Sequence, residues 1–259
     1  MKRIWGHIVS LCVAGMAVSA ILPACATNDQ TIFIRQAMAP SATRVNGACT
    51  YLADPQAPAL LGAKLDLGLV DSYFVVLLVA NQLTPRGDQA NNRAESNRAH
   101  INGGIIRVTE PDGTLIREFT STSVGFADPG QNSSPGYTLA GMVAFDALTK
   151  AAILGTPPGL PNRAVQKTIL LNIKAFGKTL GGEDLESGEF QLPMQVCNGC
   201  LVDFTTGQDN DAKVKPNCSL KPMTGVTTTI VNPCFLGQDE SVKCETCIGR
   251  LAVCDPKNP

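Results

Sequence analysis

Between Lys64 and Val196 turn-forming residues interrupt the chain at short, near-regular intervals, and the segments between them carry the two-residue period of a pleated strand. Lys64-Leu65-Asp66-Leu67-Gly68-Leu69 alternates polar or small with apolar residues, which predicts a strand with one wet face. Tyr73 to Ala80 is continuously apolar and rich in Val, Phe and Tyr, a composition suited to a strand covered on both faces. His100 to Thr109 follows, and Glu110-Pro111-Asp112-Gly113 is turn chemistry, Pro setting φ and Gly accepting a positive φ. Leu115 to Phe119 is the expected return strand of that hairpin. Val124 to Ala127, Tyr137 to Phe145, Lys167 to Phe176 and Ser187 to Val196 continue the series, and Ile32 to Ile34 offers a short edge strand. Only Asp146 to Leu154 invites a helix, with Asp146 as its N-cap. Such a series predicts an all-β fold, an antiparallel sandwich of about 7–9 strands.

The N-terminus carries an address. Lys2 and Arg3 precede an apolar core from Ile8 to Ile21, the anatomy of a signal peptide, and the run is shorter than the about 20 apolar residues a membrane-spanning helix needs. It closes on Leu22-Pro23-Ala24-Cys25, which resembles the lipobox of bacterial lipoproteins. That resemblance implies cleavage just before Cys25, a diacylglycerol on its sulfur and an acyl chain on its new amino group, so that the mature chain hangs from a lipid bilayer. It also implies, through Ala26 after the cysteine, sorting to the outer membrane or cell surface. Thr27-Asn28-Asp29-Gln30 then begins a polar tether. Ala24-Cys25-Ala26 fits ordinary signal peptidase as well, and that cleavage would release a chain starting at Thr27.

Export decides how the cysteines are read. Besides Cys25 the mature chain holds Cys49, Cys197, Cys200, Cys218, Cys234, Cys244, Cys247 and Cys254, seven of them after the last expected strand. An even number of thiols delivered to an oxidising compartment predicts disulfides. Residues 201–259 hold few large apolar groups, and so small a module needs staples. A bridge from Cys49 to the C-terminal group would sew the beginning of the sandwich to its end. The alternative is a zinc site wrapped by Cys197-Asn198-Gly199-Cys200 and Cys244-Glu245-Thr246-Cys247, two C-x-x-C knuckles. The arrangement expected is thus a signal peptide over residues 1–24, a lipidated tether and N-terminal segment over 25–60, a β-sandwich over 61–196 and a cysteine-rich module over 197–259. From Lys64 to Val196 the strand layout resembles an immunoglobulin-like ectodomain, without the Cys…Trp…Cys spacing of true immunoglobulin domains.

Few chemistries fit what remains. Loss of residues 1–24 removes Lys2 and Arg3 and no acid, moving the net charge from −1 to −3, and no basic stripe is present to bind nucleic acid. The single Trp, Trp5, and one of two histidines, His7, also leave, so His100 is the only base of its kind, and no G-x-S-x-G elbow accompanies it. Glu183, Asp184, Glu186 and Glu189 fit a solvated turn better than a carboxylate pair, and Asp209-Asn210-Asp211 is only a fragment of a calcium loop. No cofactor, metal or catalytic residue is expected. Gln82 to Ala99 is polar, aperiodic and long for a loop, and rigid sandwiches display recognition on loops. Asn91, Asn92, Arg93, Asn97 and Arg98 are its candidate binding residues. The expectation is a non-enzymatic, membrane-anchored structural or protein-binding element, with an exported enzyme or zinc protein and a small-ligand carrier as alternatives.

Overall fold

The computed structural model describes residues 31–42, 44, 48–155, 166–203, 233–250 and 254. Its elements are strands almost throughout: β1 (Ile32–Ala37), β2 (Ala63–Asp66), β3 (Tyr73–Asn81), β4 (Ala99–Thr109), β5 (Leu115–Ala127), β6 (Gly136–Phe145), β7 (Lys167–Thr179), β8 (Asp184–Glu186), β9 (Phe190–Cys197), β10 (Val202–Asp203) and β11 (Val242–Lys243). One sheet runs β1-β3-β6, a second runs β2-β9-β7-β4-β5 with β8 paired to β7, and β10 and β11 form a small third.

The two larger sheets share one core. Ile32, Val75, Leu77 and Val79 come from the first, and Ile101, Ile106, Ile169, Leu171, Ile173 and Met194 from the second. The continuous apolar run of β3 has the reason its composition foretells, cover on both faces. Val75, Leu77 and Val79 point into this core, while Val76 and Leu78 are covered from behind by Met38, Tyr51 and Ala57.

The helix arises where the capping signal places it, as α1 (Ala147–Leu154). Asp146 is extended, and its carboxylate accepts the Thr149 N–H at 2.8 Å and the Thr149 hydroxyl at 2.6 Å.

Three features depart from the sequence expectation. Leu115–Phe119 and Val124–Ala127 are one strand, because Thr120-Ser121-Thr122-Ser123 keeps the ladder with β4 where no large apolar residue announces it. A register shift between Ile101 and Gly103 bends this hairpin. There Gly177 opposes Ile101, and any Cβ at Gly177 would collide with the His100 carbonyl oxygen. Second, β2 runs parallel to β9, Leu65 facing Val196, whereas an antiparallel arrangement was expected throughout. The chain leaves the first sheet after β1 and crosses to the second before β2, so it enters beside β9 in the same direction. Third, the wet face expected for Lys64–Leu69 is lost at Asp66, which is fully buried beneath the turn that follows β9.

The ladders define two ends of the body. Asn81 pairs with Ile32 and Gly136, and its side-chain amide donates to the carbonyls of Asn97 at 2.9 Å and Ala127 at 3.1 Å. Those residues mark the loop end. Thr109, Lys167, Cys197 and Tyr73 mark the other, the cysteine end. The eleven residues of β4 separate them by roughly 33 Å.

Candidate functional site

At the loop end, a segment with no periodicity is held by its own polar groups. Asp88 and Arg93 exchange backbone hydrogen bonds of 2.9 and 2.8 Å, which makes a tight hairpin with Gln89 to Asn92 at its tip. Asn92 adopts a left-handed φ of 51°, a conformation Asn tolerates, and the Asn91 side-chain amide donates to the Asp88 carboxylate at 2.5 Å. Glu95 closes the base of the hairpin. Its carboxylate accepts the N–H groups of Gly87 at 2.8 Å, Arg86 at 2.9 Å and Asn97 at 2.6 Å. Desolvation opposes ionisation of Glu95, yet the N–H groups of Gly87, Asn97, Arg86 and Ser96 together hold its carboxyl below the usual carboxylate range.

The five candidate residues therefore divide. Asn91, Asn92 and Arg93 are exposed at the tip. Asn97 is committed inward, its side-chain amide donating to the Thr84 carbonyl at 2.8 Å. Arg98 forms an ion pair with Asp128 at 2.9 Å and lies over the Phe126 ring, 5.2 Å from its centroid. Sequence patterning could not flag Glu95, since a lone acid in a polar stretch carries no sign that its partners are backbone donors.

Glu95 makes the loop sensitive to acid. Its pKa is lower folded than unfolded, so its contribution is present above the ordinary carboxylate pKa and is lost as pH falls through the folded value. Amide exchange at Arg86, Gly87 and Asn97 is expected to accelerate over that acidic window and, in Glu95→Gln, at neutral pH as well. Equal protection of these amides in parent and variant would contradict this role.

At the cysteine end the described residues form three disulfides, Cys49–Cys234, Cys197–Cys200 and Cys247–Cys254, with Cα–Cα separations of 5.6, 5.9 and 5.8 Å. The first joins residues 185 apart and sews the N-terminal segment to the C-terminal one. Cys25 and Cys218, the side chain of Cys244, and Asp209-Asn210-Asp211 lie outside the described residues. Bridged cysteines belong to a non-cytoplasmic environment. They also leave no four-cysteine zinc knuckle, because Cys197 and Cys200 bond to each other and Cys247 bonds to Cys254.

Buried polar groups clamp this end to the sheet. One oxygen of Asp66 accepts the N–H groups of Gly199 at 2.6 Å and Gly68 at 3.0 Å, and the other accepts Leu201 N–H at 3.0 Å. Gly199 takes a φ of 83° to present its N–H, the conformation that glycine adopts without strain. Asp66 and the two sulfurs of Cys197 and Cys200 lie within 4.8 Å of one another, a grouping that could hold a metal, but the sulfurs are joined to each other as a disulfide. Gln238 and Asp239 extend the sheet beyond β2: Gly237 accepts the Asp66 N–H at 2.9 Å and Asp239 donates to the Lys64 carbonyl at 3.0 Å. The Asp239 carboxylate in turn accepts the Lys64 N–H at 2.8 Å and the Tyr73 hydroxyl at 2.7 Å. Burial pushes both the Asp239 carboxyl and the Tyr73 hydroxyl above their ordinary pKa values. Beside the outer bridge, the Arg44 guanidinium contacts the sulfurs of Cys49 and Cys234 and pairs with Glu240 at 2.6 Å, while Glu240 also accepts the Cys234 N–H at 2.7 Å.

Most of the residues weighed for catalysis have partners elsewhere, while Glu183 is exposed. His100 stacks on Phe126 with ring centroids 4.4 Å apart. Asp184, Glu186 and Glu189 pair with Lys178, Lys174 and Arg107 at 2.8, 3.1 and 3.2 Å, surface ion pairs of small energetic weight. Clefts of 230 and 220 Å³ flank the loop, and one of 360 Å³ lies between β1 and β9; all three are open to solvent. No helix among the described residues is long and apolar enough to cross a membrane. No family model, curated protein or solved structure matches the chain.

Proposed function

We propose that this protein is an exported lipoprotein, anchored through Cys25 to the outer membrane or cell surface, and a non-enzymatic structural or protein-binding element of the envelope. The observation that carries the reading is the Cys49–Cys234 bridge, which closes the body across 185 residues in a chain whose first 24 residues have a signal peptide's anatomy. A disulfide-stapled body whose 82–99 loop is held by its own polar groups suits a structural or binding role rather than turnover, and the pairing of Asp184, Glu186 and Glu189 and the stacking of His100 favour the same reading.

We read the body as an immunoglobulin-like sandwich. The strand order supports this: β1, β3 and β6 lie together as A, B and E do in that architecture, and β4, β7 and β9 as C, F and G do. The initial strand is split, β1 in one sheet and β2 in the other.

The anchor is tested by fractionation and intact mass. The parent chain is expected in the membrane fraction with a mass that includes the acyl groups, and Cys25→Ala is expected in the soluble fraction with neither acyl mass nor loss of thermal stability. A parent chain starting at Thr27 would refute the anchor and leave the exported body as the whole proposal.

A further inference from the structure

We infer that the loop end of the body faces the bilayer that holds the chain, with the Gln89–Arg93 tip against the lipid headgroups. This rests on lipidation at Cys25. The argument is one of reach. β1 starts at Ile32, and the Thr31 carbonyl accepts the Gln82 N–H at 2.9 Å, so the point where the tether enters the body is stitched to the first residue of the loop. Only five residues lie between Cys25 and Thr31, so the six Cα–Cα steps of the tether reach at most about 22 Å when fully extended. The body is longer than its tether, since the cysteine end stands roughly 33 Å further along β4. An upright body therefore presents its loop end to the membrane and its cysteine end to the solvent.

The chemistry of the tip suits phosphate-bearing headgroups. Asn92 and Arg93 are exposed donors, and Arg86 adds a second exposed guanidinium at the base of the hairpin. Among the described residues neither Arg86 nor Arg93 makes an ion pair. The nearby acids are spent, with Asp88 accepting from Asn91 and the Ala90 N–H, Glu95 from backbone donors and Asp128 from Arg98. Glu183 is an exposed acid on the same end and lines a cleft with Arg86, so this end carries no strong net charge. Contact then follows from tethering and hydrogen bonding and depends little on anionic lipid.

Absence of tryptophan after residue 24 makes the geometry measurable. Ala90→Trp places a single probe at the exposed tip, and Leu115→Trp places one at the opposite end, where Leu115 is already 52% exposed. Each full-length lipidated variant is reconstituted in phosphatidylcholine vesicles, with and without headgroup-spin-labelled phosphatidylcholine. The expected result is several-fold stronger quenching of Ala90→Trp than of Leu115→Trp, unchanged when phosphatidylglycerol is added. Equal quenching at both positions means a body lying flat, and stronger quenching of Leu115→Trp means an inverted one. Vesicle-bound protein with neither probe quenched means a tip held away from the bilayer or covered by a protein. Each of these overturns the inference while leaving the anchor intact. Failure of both variants to float with the vesicles refutes the anchor itself and the inference with it. Gln89→Trp and Thr114→Trp, also exposed, repeat the comparison should either first variant melt below the parent.

Discussion

Replacing Asp66 by alanine is expected to destabilise the protein by about 3–5 kcal/mol, a fall in melting temperature of about 10 °C for a body of this size. The carboxylate is fully buried and accepts three backbone N–H groups, from Gly68, Gly199 and Leu201. Alanine leaves all three donors without a partner. The two on the far side of the contact belong to the turn holding Cys200, so the loss concentrates there and not in the sheets. Asp66→Asn is expected to fall between parent and alanine, because one oxygen can still serve Gly68 and Gly199 while the amide nitrogen opposes the Leu201 N–H. Thermal and urea melts measure both effects. An Asp66→Ala variant melting with the parent would mean that this carboxylate does not organise the cysteine end.

The Cys49–Cys234 bridge has the other large expected effect. For a cross-link spanning 185 residues, the entropic model of disulfides assigns roughly 5 kcal/mol of restriction to the unfolded chain. Cys49→Ser with Cys234→Ser is expected to lose most of that and to loosen Arg44 and Glu240, whose contacts cluster at the two sulfurs and the Cys234 N–H. Limited proteolysis should then cut near Arg44 or Lys243 before it cuts the strands. Gly237 to Asp239 remain bonded to β2 independently of the bridge, so the double variant is expected to melt earlier and still fold. An unchanged melt with unchanged proteolysis would assign the closure to those hydrogen bonds alone.

What could be read in advance follows from the range of each interaction. Tyr73 to Ala80 is legible as a covered strand because its own side chains carry the signal, and Asp146 is legible as a cap because its partner, Thr149, is three residues away. The candidate loop was legible as a loop, and its exposed tip at Asn91, Asn92 and Arg93 was within reach of composition. Its internal order was not. Glu95 is aligned with backbone groups eight and nine residues before it, and backbone donors leave no trace in residue type. The junction within β5 was hidden for a similar reason, since Thr and Ser suit a ladder and a turn equally well on paper.

The sequence by itself determined the β architecture, the helix at Ala147–Leu154 and its cap, and the parity of the cysteines with Cys49 placed far upstream of the rest. These rest on periodicity, capping chemistry and redox compartment, all of which act within a few residues or on composition. Only the tertiary structure decided which sulfurs join, that β2 runs parallel to β9, and that Asp66, Tyr73 and Asp239 are buried partners. Asp66 meets Gly199 across 133 positions and Tyr73 meets Asp239 across 166. At such separations a polar residue looks the same in sequence whether it faces water or a buried donor, and only chain closure settles which it meets. The same closure places Gln82, the first residue of the loop, beside Thr31 at the start of β1, a neighbourhood that no local pattern announces.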